Sequence, residues 1–178
     1  MVQETPGSEV PRPEAVARPL AAGLTILAGL LRLVPHPWNF TPVGALGLFG
    51  GGRLRSWHAY ALPIGLMLLS DAALAALHGP QYFFNGTLPF IYVSFLLYVW
   101  IGRRLRQTSS PWSIGCASLL GSLQFFLITN FAQWAVFGVP AGSPGPLQPG
   151  QYPHSLGGLL ACYLMAVPFF WGTLVSAE

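Results

Sequence analysis

Two residues of opposite charge stand within otherwise apolar sequence. Asp71 is the one acid inside the apolar body of the chain, and Arg32 interrupts the sequence at the end of its first apolar segment. A charged side chain in hydrocarbon costs about 2.5 to 3.5 kcal/mol on insertion scales, so such residues are usually paired or face a cavity. We expect Arg32 and Asp71 to lie at similar depth and to pair. The pair either serves only as a salt bridge that fixes the fold or also holds a polar ligand.

Further polar side chains are expected at the same level as this pair. We predict hydrogen-bonding groups for a solute at His36, Asn39, Asn130, Gln133 and His154. We predict apolar walls of the same pocket at Tyr92 and Trp134. Two alternatives remain: the histidines belong to loops at the membrane interface, and the amides only bond neighbouring helices.

The stretch from Arg32 to Gly52 is the segment around which we expect this pocket to form. Pro35 and Pro37 do not continue a helix and favour extended backbone in the preceding residues. Irregular backbone at membrane depth is tolerated where protein or water surrounds it. We therefore predict that this stretch forms one wall of a polar pocket and then packs closely through its glycines.

Motifs of catalysis and of metal binding are missing from the sequence. Gly50-Gly51-Gly52 lacks the Lys-Ser or Lys-Thr that completes a phosphate-binding loop, and no HExxH or paired-acid arrangement occurs. We predict no enzymatic activity, no cofactor and no metal. Cys116 and Cys162 fall near the starts of two segments that run in opposite directions, so we expect two buried thiols too far apart to bridge.

The composition is that of an integral membrane protein. Of 178 residues, 53% are hydrophobic and 7% are charged, values outside the range of a soluble domain. The arginines sit at the ends of apolar segments rather than on one basic face, which favours membrane orientation over nucleic-acid binding. We therefore expect the lipid bilayer, and not nucleic acid, as the surroundings of the chain.

The apolar segments define the predicted fold, an all-α bundle of six transmembrane helices whose second segment is short. Residues 1–18, rich in proline and charge, are predicted to be a disordered cytoplasmic tail, and 19–178 a single transmembrane domain. The segments are residues 19–34, 40–52, 57–77, 88–105, 112–137 and 156–177. The second is either a tilted short helix or a helix buried between the others, because spanning takes roughly 17 to 25 residues.

The arginines also predict the orientation. They precede the first segment, separate the second from the third and follow the fourth, whereas the links around 79–87 and 138–155 carry neither Lys nor Arg. The positive-inside rule places both termini in the cytoplasm. The predicted polar groups then lie in the outer half of the bundle.

Small residues recur every fourth position on the first segment. Ala21, Thr25 and Gly29 would share one helix face that another helix can approach closely. This face either packs inside the chain or docks another membrane subunit.

Four blocks of sequence resemble the signature of a bacterial family of uncharacterised multi-pass membrane proteins catalogued as candidate transport proteins. The blocks are Arg32-Leu-Val-Pro-His-Pro-Trp-Asn-Phe-Thr-Pro-Val-Gly-Ala-Leu, Ser70-Asp71, Phe125-Phe-Leu-Ile-Thr-Asn-Phe-Ala-Gln-Trp134, and the segment from Tyr152-Pro-His to Phe170. That family is similar to the substrate-binding S components of energy-coupling-factor (ECF) transporters.

The resemblance implies a protein of the bacterial inner membrane that captures a small polar molecule from outside and works with a transmembrane coupling subunit and ATPases. In that group the first helix docks the coupling subunit, the role to which Ala21, Thr25 and Gly29 would correspond. The link Ala141 to Gly150 is then either part of an outer lid or a disordered loop. The alternative function is a structural or accessory subunit of a larger membrane complex, in which the polar cluster only fixes helix packing.

Overall fold

The described part of the chain folds mainly into α-helices. The structure is a computed structural model that describes residues 19–20, 22–24, 26–27, 43–54, 57–105 and 110–177. Besides helical positions between 19 and 27, these residues form five α-helices, one short 3-10 helix and no strand. The helices are α1 (Val43–Arg53), α2 (His58–His78), α3 (Leu88–Arg104), α4 (Pro111–Phe137) and α5 (Leu156–Ala177), with the 3-10 helix at Pro80–Tyr82.

The observed helices agree with five of the six predicted segments. The second to sixth segments correspond to α1 to α5, with ends that differ by a few residues. Of the first segment, positions 19–20, 22–24 and 26–27 are helical. The predicted tail, residues 1–18, lies outside the described residues. The all-helical prediction is confirmed for the described part of the chain.

Helix α1 is too short to cross a bilayer. Its 11 residues span about 16 Å at 1.5 Å per residue, roughly half of the hydrocarbon thickness. It contacts each of the other four α-helices, and Gly44, Gly47, Leu48 and Gly51 on it are buried. Of the two alternatives for this segment, the helix buried between the others is the one observed.

Glycines allow α1 and α3 to pack backbone against backbone. A Cβ atom added at Gly102 would collide with the carbonyl oxygen of Leu48, and one added at Gly51 would collide with that of Val99. Gly44 lies against the ring of Tyr98, so residue numbers rise in the same direction along both helices. This parallel contact confirms the close packing expected of the glycine-rich segment.

Tyr98 is the largest buried side chain at the centre of the bundle. It is 2% exposed, and its ring lies between Gly44 of α1 and Gly121 of α4. The rings of Phe95 and Phe125 lie 6.1 and 6.2 Å from it, centroid to centroid. This aromatic group fixes the spacing between α3 and α4 at the level where α1 begins.

Helix α4 separates α3 from α5. Both of these helices pack against α4, but within the described residues they do not contact each other. A gap therefore remains on one face of α4 with α3 on one side and α5 on the other. The gap lies towards the end of the bundle where α3 begins and α4 ends. Arg53, the last residue of α1, lies at the other end.

In the described part of the chain, two helices are long and apolar enough to cross a membrane. These are His58–His78 and Pro111–Phe137, and Leu156–Phe170 of α5 forms a shorter apolar helix. Only 22% of the apolar window of each long helix is buried inside the protein, whereas the core helix of a soluble protein would be mostly buried. Leucines such as Leu69 and Leu164 are about 70% exposed. Membrane localisation is therefore supported by the composition of these helices and by their exposed apolar surface.

One prediction about the cysteines needs correction. Both are free thiols, and Cys162 is buried as expected, but Cys116 is exposed. An apolar position near the start of a membrane-length helix faces outward as readily as inward, because lipid outside the bundle and protein inside it are both apolar.

Substituting the glycines tests the contact between α1 and α3. We expect Gly102→Ala to destabilise the fold by about 1 to 3 kcal/mol, because the new methyl group overpacks the Leu48 backbone. Gly65→Ala in α2 is the matched control, since nothing lies within 4 Å of its added Cβ. There the substitution should be neutral or stabilising by about 0.5 to 1 kcal/mol. Thermal unfolding of the purified variants measures both, and equal effects would contradict the proposed contact.

Candidate functional site

The gap between α3 and α5 contains a cavity of about 270 Å³. Helix α4 forms its floor, and α3 and α5 form its two sides. Ten residues line it: Thr87, Ile91, Phe125, Phe126, Thr129, Asn130, Gln133, Ala166, Phe169 and Phe170. Four of these are phenylalanines, and none has an ionisable side chain.

Helical periodicity explains how these residues reach one place. Phe125, Phe126, Thr129, Asn130 and Gln133 follow one face of α4 at spacings of three and four residues. The α5 residues of the lining are spaced in the same way, at 166, 169 and 170. The sides of the cavity are therefore set by regular helix geometry and not by loops.

The polar groups of the cavity use their donors elsewhere. The Thr129 hydroxyl donates to the carbonyl of Phe125 at 2.7 Å, and the Asn130 amide nitrogen donates to that of Phe126 at 2.8 Å. The Gln133 amide nitrogen donates to the carbonyl of Gly150 at 3.1 Å. A carbonyl only accepts hydrogen bonds, so in each amide the nitrogen faces the carbonyl and the oxygen is turned away from it. Each amide therefore keeps an acceptor oxygen and a second N–H.

Asp71 and Tyr92 meet between α2 and α3, away from the cavity lining. Asp71 is 2% exposed, and its carboxyl accepts a hydrogen bond of 2.7 Å from the Tyr92 hydroxyl. Ile91 lines the cavity, but Tyr92 follows it by about 100° around the helix and points to α2 instead. The side chain predicted as an apolar wall therefore makes a polar contact with the side chain predicted as a charged anchor.

The link from α4 to α5 is a closed loop. The Val139 amide donates to the Tyr152 carbonyl at 3.0 Å, and the His154 amide donates to the Val139 carbonyl at 2.7 Å. The Trp134 indole donates to the Pro153 carbonyl at 2.8 Å, and the His154 ring lies 3.0 Å from the Trp134 carbonyl through Nε2. Partial burial, with a smaller effect from the Cys162 thiol, raises the pKa of Tyr152. The two alternatives for residues 141–150, part of an outer lid or a disordered loop, both stay predictions.

The predicted site residues thus divide into separate groups. Asn130 and Gln133 line the cavity, Trp134 and His154 fasten the loop, and Asp71 and Tyr92 form the α2–α3 contact. Six predicted residues lie outside the described residues: Arg32, His36, Asn39, Ala21, Thr25 and Gly29. The described residues hold no group of three or more His, Cys, Asp or Glu side chains that could bind a metal ion.

Sequence reasoning missed the aromatic walls of the cavity. The walls are Phe125, Phe126, Phe169 and Phe170, which carry no polar group. Apolar residues occur on every face of α4 and α5, so the cavity side does not stand out in the sequence. The available signal was the pairing of adjacent phenylalanines on α4 and α5, at the same depth as Asn130.

Comparison with known proteins gives one match. The model of a family of unknown function, DUF6580, matches residues 14–177 of the chain. No curated protein matches, and no solved structure matches.

Removing the Tyr92 hydroxyl tests the contact with Asp71. We expect Tyr92→Phe to lower the free energy of unfolding by about 1 to 3 kcal/mol, because the buried carboxyl loses a donor. The effect should shrink in an Asp71→Asn background, as expected for two groups in contact. Tyr60→Phe is the control, since the Tyr60 ring packs under the guanidinium of Arg103 at 5.5 Å and that contact survives the change. Equal losses of stability from the two Tyr→Phe variants would contradict a specific Asp71 contact.

Removing the indole donor tests the fastening of the loop. Trp134→Phe deletes the bond to Pro153, worth about 0.5 to 1.5 kcal/mol, so amide exchange in residues 138–155 should accelerate up to about tenfold. Hydrogen exchange followed by mass spectrometry measures this rate. Trp112→Phe is the control, because that side chain is 83% exposed. Unchanged exchange in Trp134→Phe would mean that the loop is held without this bond.

Proposed function

The chain belongs to the DUF6580 family of unknown function, and we propose from the site itself that it is a membrane-embedded solute-binding protein. The cavity of about 270 Å³ between α3, α4 and α5 is the observation that carries this proposal. Binding sites for small molecules are mostly apolar concave surfaces with a few placed polar groups, and they often lie between the helices of a bundle. The cavity lining has this composition.

The end of the bundle that holds the cavity is proposed to face outward. Arg53 ends α1, Arg103 and Arg104 end α3, and the two helices run in parallel, so these three cations share the opposite end. The guanidinium of Arg104 also lies over the ring of Trp100 at 4.7 Å, as basic and aromatic residues do at a membrane surface. The arginines support a cytoplasmic end there and an outer position for the loop 138–155.

We propose further that the chain is one subunit of a bacterial inner-membrane transporter, with both termini cytoplasmic. Transport of a captured solute against its concentration gradient needs an energy source, and a coupling subunit with ATPases would supply it. The described helices carry no phosphate-binding loop of their own. The likeness to S components of ECF transporters remains part of this proposal.

A second function has an observation in its favour. The donors of Gln133 and Trp134 and the ring of His154 all engage the backbone of the loop or of α4. Groups used in this way hold the fold together and need no ligand. This observation favours a structural or accessory subunit of a larger membrane complex, in which the cavity is a site where lipid or another helix packs.

Filling the cavity distinguishes the two functions. We expect a compound from a screen of vitamins, nucleobases and amino acids to raise the melting temperature of the detergent-purified protein. At a hundred times its dissociation constant, a ligand stabilises the folded state by about 2.7 kcal/mol. The stabilisation should vanish in Ala166→Phe, where the new ring occupies the cavity, because Ala166 lies in its lining.

The matched control is the same substitution at an exposed alanine. Ala76→Phe in α2 should keep the full stabilisation, because Ala76 is exposed and lies outside the cavity lining. A compound that stabilises Ala166→Phe as strongly as the parent binds elsewhere. If no compound stabilises the parent, the structural subunit is the better account.

A further inference from the structure

We propose that the ligand of the cavity is an uncharged ring compound that carries at least one N–H or O–H donor. This inference rests on the solute-binding function proposed above and names the chemical class of the solute. Three properties of the described lining support it: the absence of charge, the aromatic walls and the orientation of the amides.

The absence of charge limits the ligand first. None of the ten lining residues is ionisable, and Asp71 on α2, the one carboxyl-bearing residue in the described part of the chain, lies outside the lining and accepts a hydrogen bond from Tyr92 on α3. The described arginines of α1 and α3 lie at the other end of the bundle. An ion that left water for this cavity would lose its hydration without gaining a counter-charge from the described residues, which costs several kcal/mol. A neutral molecule pays no such penalty.

The walls favour a flat ring. Phe126 and Phe170 meet edge to face with centroids 5.0 Å apart, so one ring presents its face where the other presents its edge. The ring of Phe95 packs against the ring of Phe125, with 5.7 Å between the two centroids. Aromatic pairs in such arrangements gain stabilisation beyond the area that they bury, so a ring compound gains more here than an aliphatic one of equal size.

The amides favour a donor. One N–H of each amide, on Asn130 and Gln133, and the hydroxyl hydrogen of Thr129 are directed to backbone carbonyls, so three acceptor oxygens remain against two N–H groups. A ligand that only accepts hydrogen bonds could pair with the two N–H groups but would leave the three oxygens without a donor. A site with buried polar groups rejects the analogue that cannot pair with them much more strongly than it rejects a missing methyl group. The ligand should therefore supply the N–H or O–H.

The volume sets an upper limit. An engineered apolar cavity of about 150 Å³ takes up benzene. The cavity of about 270 Å³ is nearly twice as large, so a bicyclic compound fits in it.

Three fluorinated probes separate these requirements, with binding followed by ¹⁹F NMR in one detergent. The probes are 5-fluoroindole, which is neutral and carries an N–H; 5-fluoro-1-methylindole, which lacks the donor; and 5-fluoroindole-2-carboxylate, which is charged at pH 7. We expect 5-fluoroindole to bind at least tenfold more tightly than either of the others. Its binding should be lost in Ala166→Phe and kept in Ala76→Phe. If Ala166→Phe does not fold, Ala166→Leu fills part of the same space and should weaken binding by at least fivefold.

The amide oxygen has its own test. Asn130→Leu removes the acceptor, so the preference for 5-fluoroindole over its methylated analogue should fall to within about threefold. A preference that stays at tenfold would mean that Asn130 does not receive the donor.

The outcomes also keep this inference separate from the function on which it rests. Equal binding of the methylated probe would overturn the donor requirement, and tighter binding of the carboxylate would overturn the neutral charge; in both cases, binding that depends on Ala166 would still support a solute site. If none of the three probes binds in a way that depends on Ala166, the assignment of a ring with a donor is wrong. The solute-binding function is then judged by the melting-temperature screen alone.

Discussion

The contact between α1 and α3 is the constraint on which the rest of the bundle depends. Helix α1 is too short to reach across a bilayer, and it is held at the centre because Gly51 and Gly102 let the two backbones touch. A short helix in that position fills only one half of the bundle. Towards the other half of the described bundle, Phe95 and Phe125 follow Tyr98 between α3 and α4, and Phe125 already belongs to the cavity lining. Among the described residues, the cavity therefore lies beyond the level at which α1 begins.

The length of α4 also contributes to the cavity. A helix of 27 residues offers separate faces to α3 and to α5 and keeps them from contacting each other in the described part of the chain. The Tyr163 hydroxyl and the Cys162 thiol of α5 both donate to carbonyls of α4, at 2.9 and 3.4 Å, and so fix α5 against it. In surroundings without water, such bonds to backbone carbonyls add to the packing of small residues in holding helices together.

The sequence predicts the number and length of the described helices well because apolar length is the dominant signal in a membrane protein. It does not predict which face of a helix turns inward. On α4 nearly every residue is apolar, so the difference between Phe125 in the cavity lining and Leu123, which is 45% exposed, leaves no periodic pattern to read. The exposed Cys116 was misplaced for the same reason. Trp134 was predicted as an apolar wall and His154 as a hydrogen-bonding group for a solute, but their observed partners are the backbone carbonyls of Pro153 and Trp134, which carry no sequence signal.

The chemistry of the cavity follows from a general property of polar residues in helices. Backbone carbonyls accept a second hydrogen bond readily, whereas backbone N–H groups inside a helix are already used. A threonine or asparagine on such a helix therefore gives its hydrogen to the carbonyl one turn earlier, as Thr129 and Asn130 do. What remains for a neighbour is the oxygen, together with the second N–H in the case of asparagine. Helices that carry threonine and amide side chains into an apolar bundle thus tend to present more acceptors than donors, and a cavity between them takes on that character from the helices themselves.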